Sequence, residues 1–539
     1  MISSNIQKSY DVVIVGGGHN GLVAACYLAK AGKSVLVLER QDKVGGAVVS
    51  RQLFPGIEAK LSVYAYLVGM LPQKIISDLG LNFKFRQRNP ASFTPFEKNG
   101  KHQGLLISNE SEAVTKHSFK QLTGNLEEYQ SYVKFHQLQK SLGKNIWPSL
   151  LEPMQTRDEI KNRFQTEEEK LAWKLFIEQP LGVAIEEFFQ SDLVRGLLFT
   201  DGTIGTFTHP HDPSLQQNRT FLYHIIANGT GDWCVPVGGM GKLTEELVAQ
   251  CQKNGVEILN HAEVTKIEPD EGKATVKFQH NNQESYVNGK YVLVNLAPKK
   301  LSQLLSGYNP PNDPVPPFLR GVRGDLKDEG SFVKINMVLS KLPRLKAEYD
   351  SIEAFTGTFH VNEGYQNIID SYKMACEGVI PVHPPGEFYC HSLTDDSILS
   401  PSLISQGYQT LTLFGLEMPY SLFVKDNETE KQKVLERYLH GVNQYLLDPI
   451  EDCIARDENG QLCVDVATPV DVEREVGIPT GHVFHQSLSW PFVESEEERG
   501  MWGVEIGFDN IFLCGSGAKR GGCVSGIPGH NAAMKVLEC

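Results

Sequence analysis

The chain has 539 residues, too many for one ordinary domain, and its 41% hydrophobic content can bury a sizeable core in two or three lobes. A formal net charge of −14, from 65 acidic against 51 basic side chains, argues against nucleic-acid binding and against electrostatic docking on an anionic membrane, though not against insertion through an apolar patch. The ten cysteines include no C-x-x-C pair, so neither a zinc site nor a redox dithiol is suggested; reduced, buried thiols of a cytoplasmic protein fit better.

Residues 1–9 are short and polar, which leaves no room for a signal or transit peptide. No apolar run approaches the roughly 20 residues that span a bilayer. Residues 10–40 then read as one βαβ unit. Val12, Val13, Ile14 and Val15 form a strand buried on both faces, and Gly16, Gly18 and Gly21 give G-x-G-x-x-G where it turns into a helix. The first glycine permits the tight turn, the second lets backbone approach a pyrophosphate, and the third lets the helix pack closely. Val35, Leu36, Val37 and Leu38 form the second strand, and Glu39 ends it as an acceptor for a ribose diol.

Gly45 and Gly46 follow closely, as a loop running along a longer dinucleotide would require, which moves the expected cofactor from NAD to FAD. Residues 61–76, LSVYAYLVGMLPQKII, are the most apolar stretch, expected as a buried helix or lid, with a membrane-dipping lip as the alternative. From about 110 to 200 the pattern is helical. Asn125 with Glu128 and Thr166 with Glu169 are spaced as capping boxes. His209 and His211, two apart on a Pro-rich loop, make a poor chelate, and no metal site is expected.

Residues 231–298 return to α/β texture, so the nucleotide fold is discontinuous, and no second G-x-G-x-x-G appears there. Residues 331–340 alternate as a strand, with Lys334 and Asn336 expected on a half-solvated face. A helix is expected near 431–446, and 345–470 shows no chemical signature. The C-terminal NIFLCGSGAKRGGCVSGIPGHNAAM places a buried strand, a glycine turn and a final helix whose N-terminus could face the flavin.

These motifs resemble the phytoene desaturase-like flavoproteins, a superfamily that also contains amine oxidases. The nearest likeness is to its branch of FAD-dependent carotene ketolases and pyridine nucleotide-disulfide oxidoreductase domain-containing protein 2. The likeness is strongest at 10–96, 229–298 and 477–537. It implies an α/β fold with a Rossmann-type FAD-binding domain at 1–75, 231–305 and 500–539, a largely helical insertion at 76–230, and a mixed substrate-binding domain at 306–499. It implies FAD held by Gly16, Gly18, His19, Asn20 and Gly21 at the pyrophosphate, Glu39 and Arg40 at the ribose, and Gly45, Gly46 and Ala47 along the phosphates. Val264 would meet adenine, and Gly515, Ser516 and Gly526 would lie toward the ribityl chain. Ala47 and Ser516 stand where many members carry Arg and Asp.

The expected activity is hydride transfer between flavin and a hydrophobic, polyene- or isoprenoid-like substrate, by a desaturase, ketolase or isomerase. An amine-oxidase-like enzyme with a small polar substrate, or a flavoprotein with a regulatory role, are the alternatives. His482, His485 and His530 are the candidates for acid–base work beside the flavin. A cytoplasmic location is expected, with peripheral membrane contact through 61–76 left open.

Overall fold

A strand that is apolar on both faces is stable only where both faces are covered. In the computed structural model, which describes residues 7–305 and 328–539, β1 (Ser9–Val15) and β2 (Val35–Leu38) lie parallel, Val12 opposite Val35 and Val15 opposite Leu38. The helix α1 (His19–Lys30) connects them and is almost wholly buried in its first three turns. Residues 1–6, within the N-terminal stretch, and 306–327, the start of the segment expected at 306–499, lie outside the described residues.

The first sheet runs Ala262–Asp270, Lys273–His280, Gln283–Val294, β1, β2, Glu257–Leu259. The long strand Gln283–Val294 has two roles. Its first half closes a hairpin with Lys273–His280, and its second half lies parallel to both β1 and the C-terminal strand Ile511–Leu513. Three distant pieces of sequence therefore make one sheet. The last helix, Ile527–Glu538, closes it by packing on α1, where Gly529 approaches Asn20 so nearly that a Cβ would meet its carbonyl oxygen at 2.1 Å.

The second sheet runs Val464–Ala467, Val333–Leu339, Gln409–Gly415, Gly386–Tyr389, Thr358–Val361, Ser92–Lys98, Lys101–Ile107. Its last two strands come from the stretch expected to be largely helical from residue 76. They form a hairpin turned by Asn99 and Gly100, both at positive φ (55° and 74°), the geometry that Asn-Gly favours in two-residue hairpin loops. Beyond the end of the helix Gln73–Leu79, the helices of this stretch begin at Glu112–Thr123. Their interior is aromatic, with Phe135, Trp173, Phe176 and Phe221 fully buried. Thr166 and Glu169 form the expected capping box. Asn125 and Glu128 do not: Leu126 caps Glu127–Ile146, and the buried Glu128 carboxylate instead accepts from the Ser191 backbone N–H at 3.1 Å, tying two helices together.

Residues 61–76 are not a single helix. After the short strand Leu61–Ser62 the chain runs irregularly to Pro72, where the helix Gln73–Leu79 begins, and no residue from 61 to 72 is exposed. This segment lies over the polar face of Val333–Leu339. Asn336 Nδ2 donates to the Val63 carbonyl at 3.2 Å, and Lys334 Nζ stands 3.4 Å from the Tyr66 ring centroid. The strand expected to be half-solvated is therefore buried at all seven positions. No helix among the described residues is long and apolar enough to cross a membrane.

Candidate functional site

Residues of both sheets line a cavity of about 550 Å³. At its first-sheet end, α1 starts at Gly18 without a side-chain cap, so its leading N–H groups remain available to an anion. Gly45, at φ 129°, donates its N–H to the Gly17 carbonyl at 2.9 Å and brings the second glycine loop against the first. Gly21 lies behind that contact: a Cβ there would meet the Gly16 carbonyl oxygen at 2.6 Å. Glu39 is fixed by the backbone N–H groups of Gly17 and Gln41, each at 2.8 Å, and keeps further acceptor capacity toward the cavity.

Polar atoms in this wall fit a dinucleotide. His19 Nε2, Asn20 Oδ1 and His485 Nδ1 are buried and have no hydrogen-bond partner among the described residues, and all three side chains line the cavity. Burial holds the His19 imidazole down at about 3, helped by His485, and holds His485 down at about 4, helped by His482. Both rings are neutral at pH 7 and can each donate one hydrogen bond and accept another. Such orphaned groups are costly unless a ligand satisfies them. Ser516 accepts from Asn20 Nδ2 at 3.4 Å.

The second-sheet end differs in character. Tyr66, Phe332, Tyr389 and Phe414 form an aromatic wall, with Tyr66 and Tyr389 centroids 4.9 Å apart and Phe332 stacked on Phe414 at 5.1 Å. Beside it, Arg88, Asp201 and Glu387 face the same cavity. Arg88 lies 5.2 Å over the Tyr389 ring and donates to Thr358 Oγ1 at 2.9 Å. Burial raises the Asp201 carboxyl, and burial together with the Glu363 carboxylate pushes Glu387 up to about 8.

Of the residues expected at the cofactor, Gly16, Gly18, His19, Asn20, Glu39, Arg40, Gly45, Gly46, Ala47, Val264 and Ser516 line this cavity. Gly21, Gly515 and Gly526 stand behind the lining: Gly515 packs on Asn295, and Gly526 caps the last helix at φ 69°. The three histidines separate. His485 lines the cavity. His482 does not; its Nε2 pairs with Asp328 Oδ1 at 3.1 Å. His530 does not either, and the expectation that it lies beside the flavin is corrected. It packs edge-on against Tyr27 at 5.1 Å and Trp502 at 6.2 Å between the last helix and α1.

Sequence reading missed Arg88, Asp201, Glu387 and the buried pair His360 and Glu363. A signal was present: His360 and Glu387 each interrupt a short strand, TFHV and GEFY, that is otherwise apolar or small. His211, on the loop weighed for metal, pairs with Glu186 at 2.8 Å.

A glycine-rich βαβ cradle completed by the C-terminal strand and helix, with a second sheet over the same cavity, is the architecture of an FAD-dependent oxidoreductase of the phytoene desaturase-like type. Residues 21–337 match the family described as flavin containing amine oxidoreductase, and the chain belongs to that family, with FAD as its cofactor. An uncharacterized protein of Mycobacterium tuberculosis is 40% identical over 99% of this chain and 98% of its own length. Pyridine nucleotide-disulfide oxidoreductase domain-containing protein 2 of Mus musculus is 27% identical over 99% of this chain and 94% of its own. The solved structure of cyclohexylamine oxidase from Brevibacterium oxydans IH-35A shares the fold, with a TM-score of 0.56 over 98% of this chain and 100% of that one, at 14% identity.

Proposed function

We propose that the protein oxidises a small amine, with FAD lying along the first-sheet end of the cavity and the substrate at the second-sheet end. In this reading Gly16, Gly18 and the α1 N-terminus hold the pyrophosphate, Glu39 the ribose, and Val264 the adenine. The observation that carries the substrate class is the polarity of the second-sheet end. The carboxyl groups of Asp201 and Glu387 face the cavity there, with Glu363 behind them, and offer hydrogen-bond acceptors to a substrate N–H. A polyene would bring nothing to satisfy these groups.

Bound FAD supplies the acceptor for a hydride from the carbon next to nitrogen. The aromatic wall would orient the apolar part of the substrate and exclude water, and the acids would hold its nitrogen. The isoprenoid reading keeps one observation in its favour, the apolar lining by Leu67, Ile204, Val483 and Phe484. Anaerobic titration of the holoenzyme separates the two. Alkylamines should bleach the visible flavin band, and retinoids and short polyenes should not. Bleaching by a polyene alone would overturn the amine reading, and a flavin that no donor bleaches would favour a regulatory role.

A further inference from the structure

Behind the cavity wall lies a chain of ionisable groups that flavin binding does not use. Glu387 faces the cavity, and its carboxylate accepts from the Tyr389 hydroxyl. His360 Nδ1 stands 3.8 Å from Glu387 Oε1 and 2.6 Å from Glu363 Oε2. Thr200 Oγ1 donates to that same Glu363 oxygen at 2.8 Å, while Glu363 Oε1 has no partner among the described residues. His360, Glu363 and Glu387 are 5%, 2% and 4% exposed, so no bulk water shares in this network.

These three side chains are close enough together to suggest a metal. The contact geometry argues for a proton. Two ligands of one zinc ion, each about 2.0–2.2 Å from it, stand well over 3 Å apart at tetrahedral angles. His360 and Glu363, at 2.6 Å, are hydrogen-bonded to each other with no room for an ion between them.

We propose that Glu387 is a catalytic acid–base residue that takes a proton from the substrate nitrogen, and that His360 and Glu363 are positioning residues that hold the proton network behind it. The inference rests on the amine reading for the identity of the proton donor. In the step, an ammonium N–H bond breaks and its proton passes to the Glu387 carboxylate, which leaves the nitrogen lone pair free. Bound FAD would supply the two-electron acceptor: as the neighbouring C–H bond breaks, its electron pair would leave with the hydrogen as hydride, and the nitrogen lone pair would form the C=N bond of the iminium product. The substrate would lose two electrons, which FAD would take up, and the first proton would remain on Glu387.

The groups around Glu387 set its proton affinity. Burial and the carboxylates of Glu363 and Asp201 raise it, while His360 and the Tyr389 hydrogen bond lower it. Arg88 and Tyr66 face the same aromatic wall, Tyr438 reaches toward Glu363, and His224 faces Asp201. Burial lowers His360, but the Glu363 and Glu387 carboxylates outweigh it and raise the ring overall.

The test is the rate of anaerobic flavin bleaching by a saturating alkylamine across pH, in holoenzyme matched for FAD content. Wild type should show a rising limb centred near pH 8, where Glu387 becomes ionised. Glu387→Gln should lose that limb and fall about a hundredfold or more. His360→Asn should move the limb to higher pH and Glu363→Gln to lower pH, opposite shifts that a general loss of packing would not give. A second readout needs no substrate: among the infrared carbonyl bands of protonated carboxyls, one, identified by its loss in Glu387→Gln, should be present below pH 8 and titrate with the same midpoint. A wild-type rate and pH profile in Glu387→Gln would overturn the proposal and leave the amine reading standing. An infrared band that behaves as expected while no amine bleaches the flavin would overturn the amine as proton donor and with it the proposed step. Absence of the band from wild type would overturn the buried proton itself.

Discussion

Lys334 and Glu387 are both buried ionisable side chains on the second sheet, yet only one of them faces the cavity. Lys334 is wholly buried beneath Tyr66 and has no hydrogen-bond partner among the described residues, and burial pushes its amine well below the ordinary lysine range. Folding therefore favours its neutral form. Between its folded and unfolded pKa values the unfolded chain binds the extra proton, so stability rises with pH up to the unfolded value near 10.5. Lys334→Met, similar in volume, should raise unfolding free energy by about 1–3 kcal/mol at pH 7 and flatten that rise. Urea denaturation at pH 7 and pH 9 measures both, and a destabilised variant would show that the amine has a partner after all. Glu39 gives the complementary case. Its removal frees two backbone N–H groups, at Gly17 and Gln41, and Glu39→Ala should weaken FAD binding about 10–100-fold in a fluorescence titration of apoprotein. The glycines and Glu39 were legible because their spacing is local. Glu387 was not, because a lone acid in a four-residue strand becomes chemical only when Asp201, His360 and Glu363 arrive from elsewhere in the chain.

At the scale of elements, the βαβ unit and the helices carry local signals strong enough to read, and the errors fall where tertiary contacts decide. The apolar segment at 61–72 has no period of its own because the Val333–Leu339 strand dictates its path through Asn336 and Lys334. The hairpin at 92–107 carried a readable Asn-Gly turn that the helical texture after it obscured. His482, read as a catalytic candidate, instead secures the 479–487 loop to Asp328. Burial alone would raise the Asp328 carboxyl, but His482 and two hydrogen bonds from Ser487 bring it to about 2. A carboxyl depressed in the fold contributes stability above its unfolded value of 3.8, and that contribution is lost as pH falls toward 2. His482→Ala should therefore narrow the difference in thermal stability between pH 5 and pH 2.5, with FAD content at pH 7 retained. An unchanged acid profile would remove this ion pair from the account.

For the whole molecule, the first sheet depends on residues 9–38, 257–294 and 511–513 meeting, so the cradle cannot form until the C-terminus is in place. Refolded chain lacking residues 500–539 should bind no FAD in the same fluorescence titration, and stoichiometric binding by that fragment would contradict the three-part sheet. The cavity between the sheets is likewise a property of the whole: its first-sheet wall was readable from glycine motifs, whereas its second-sheet wall is assembled from side chains at 66–88, 201 and 332–414. The most direct test of the central claim, that this second wall is the substrate end and receives a cation, is the apparent Kd for an alkylamine in anaerobic flavin bleaching by wild type and Asp201→Asn. The account predicts a Kd raised about tenfold or more, with FAD content unchanged. An unchanged amine Kd in Asp201→Asn would contradict it.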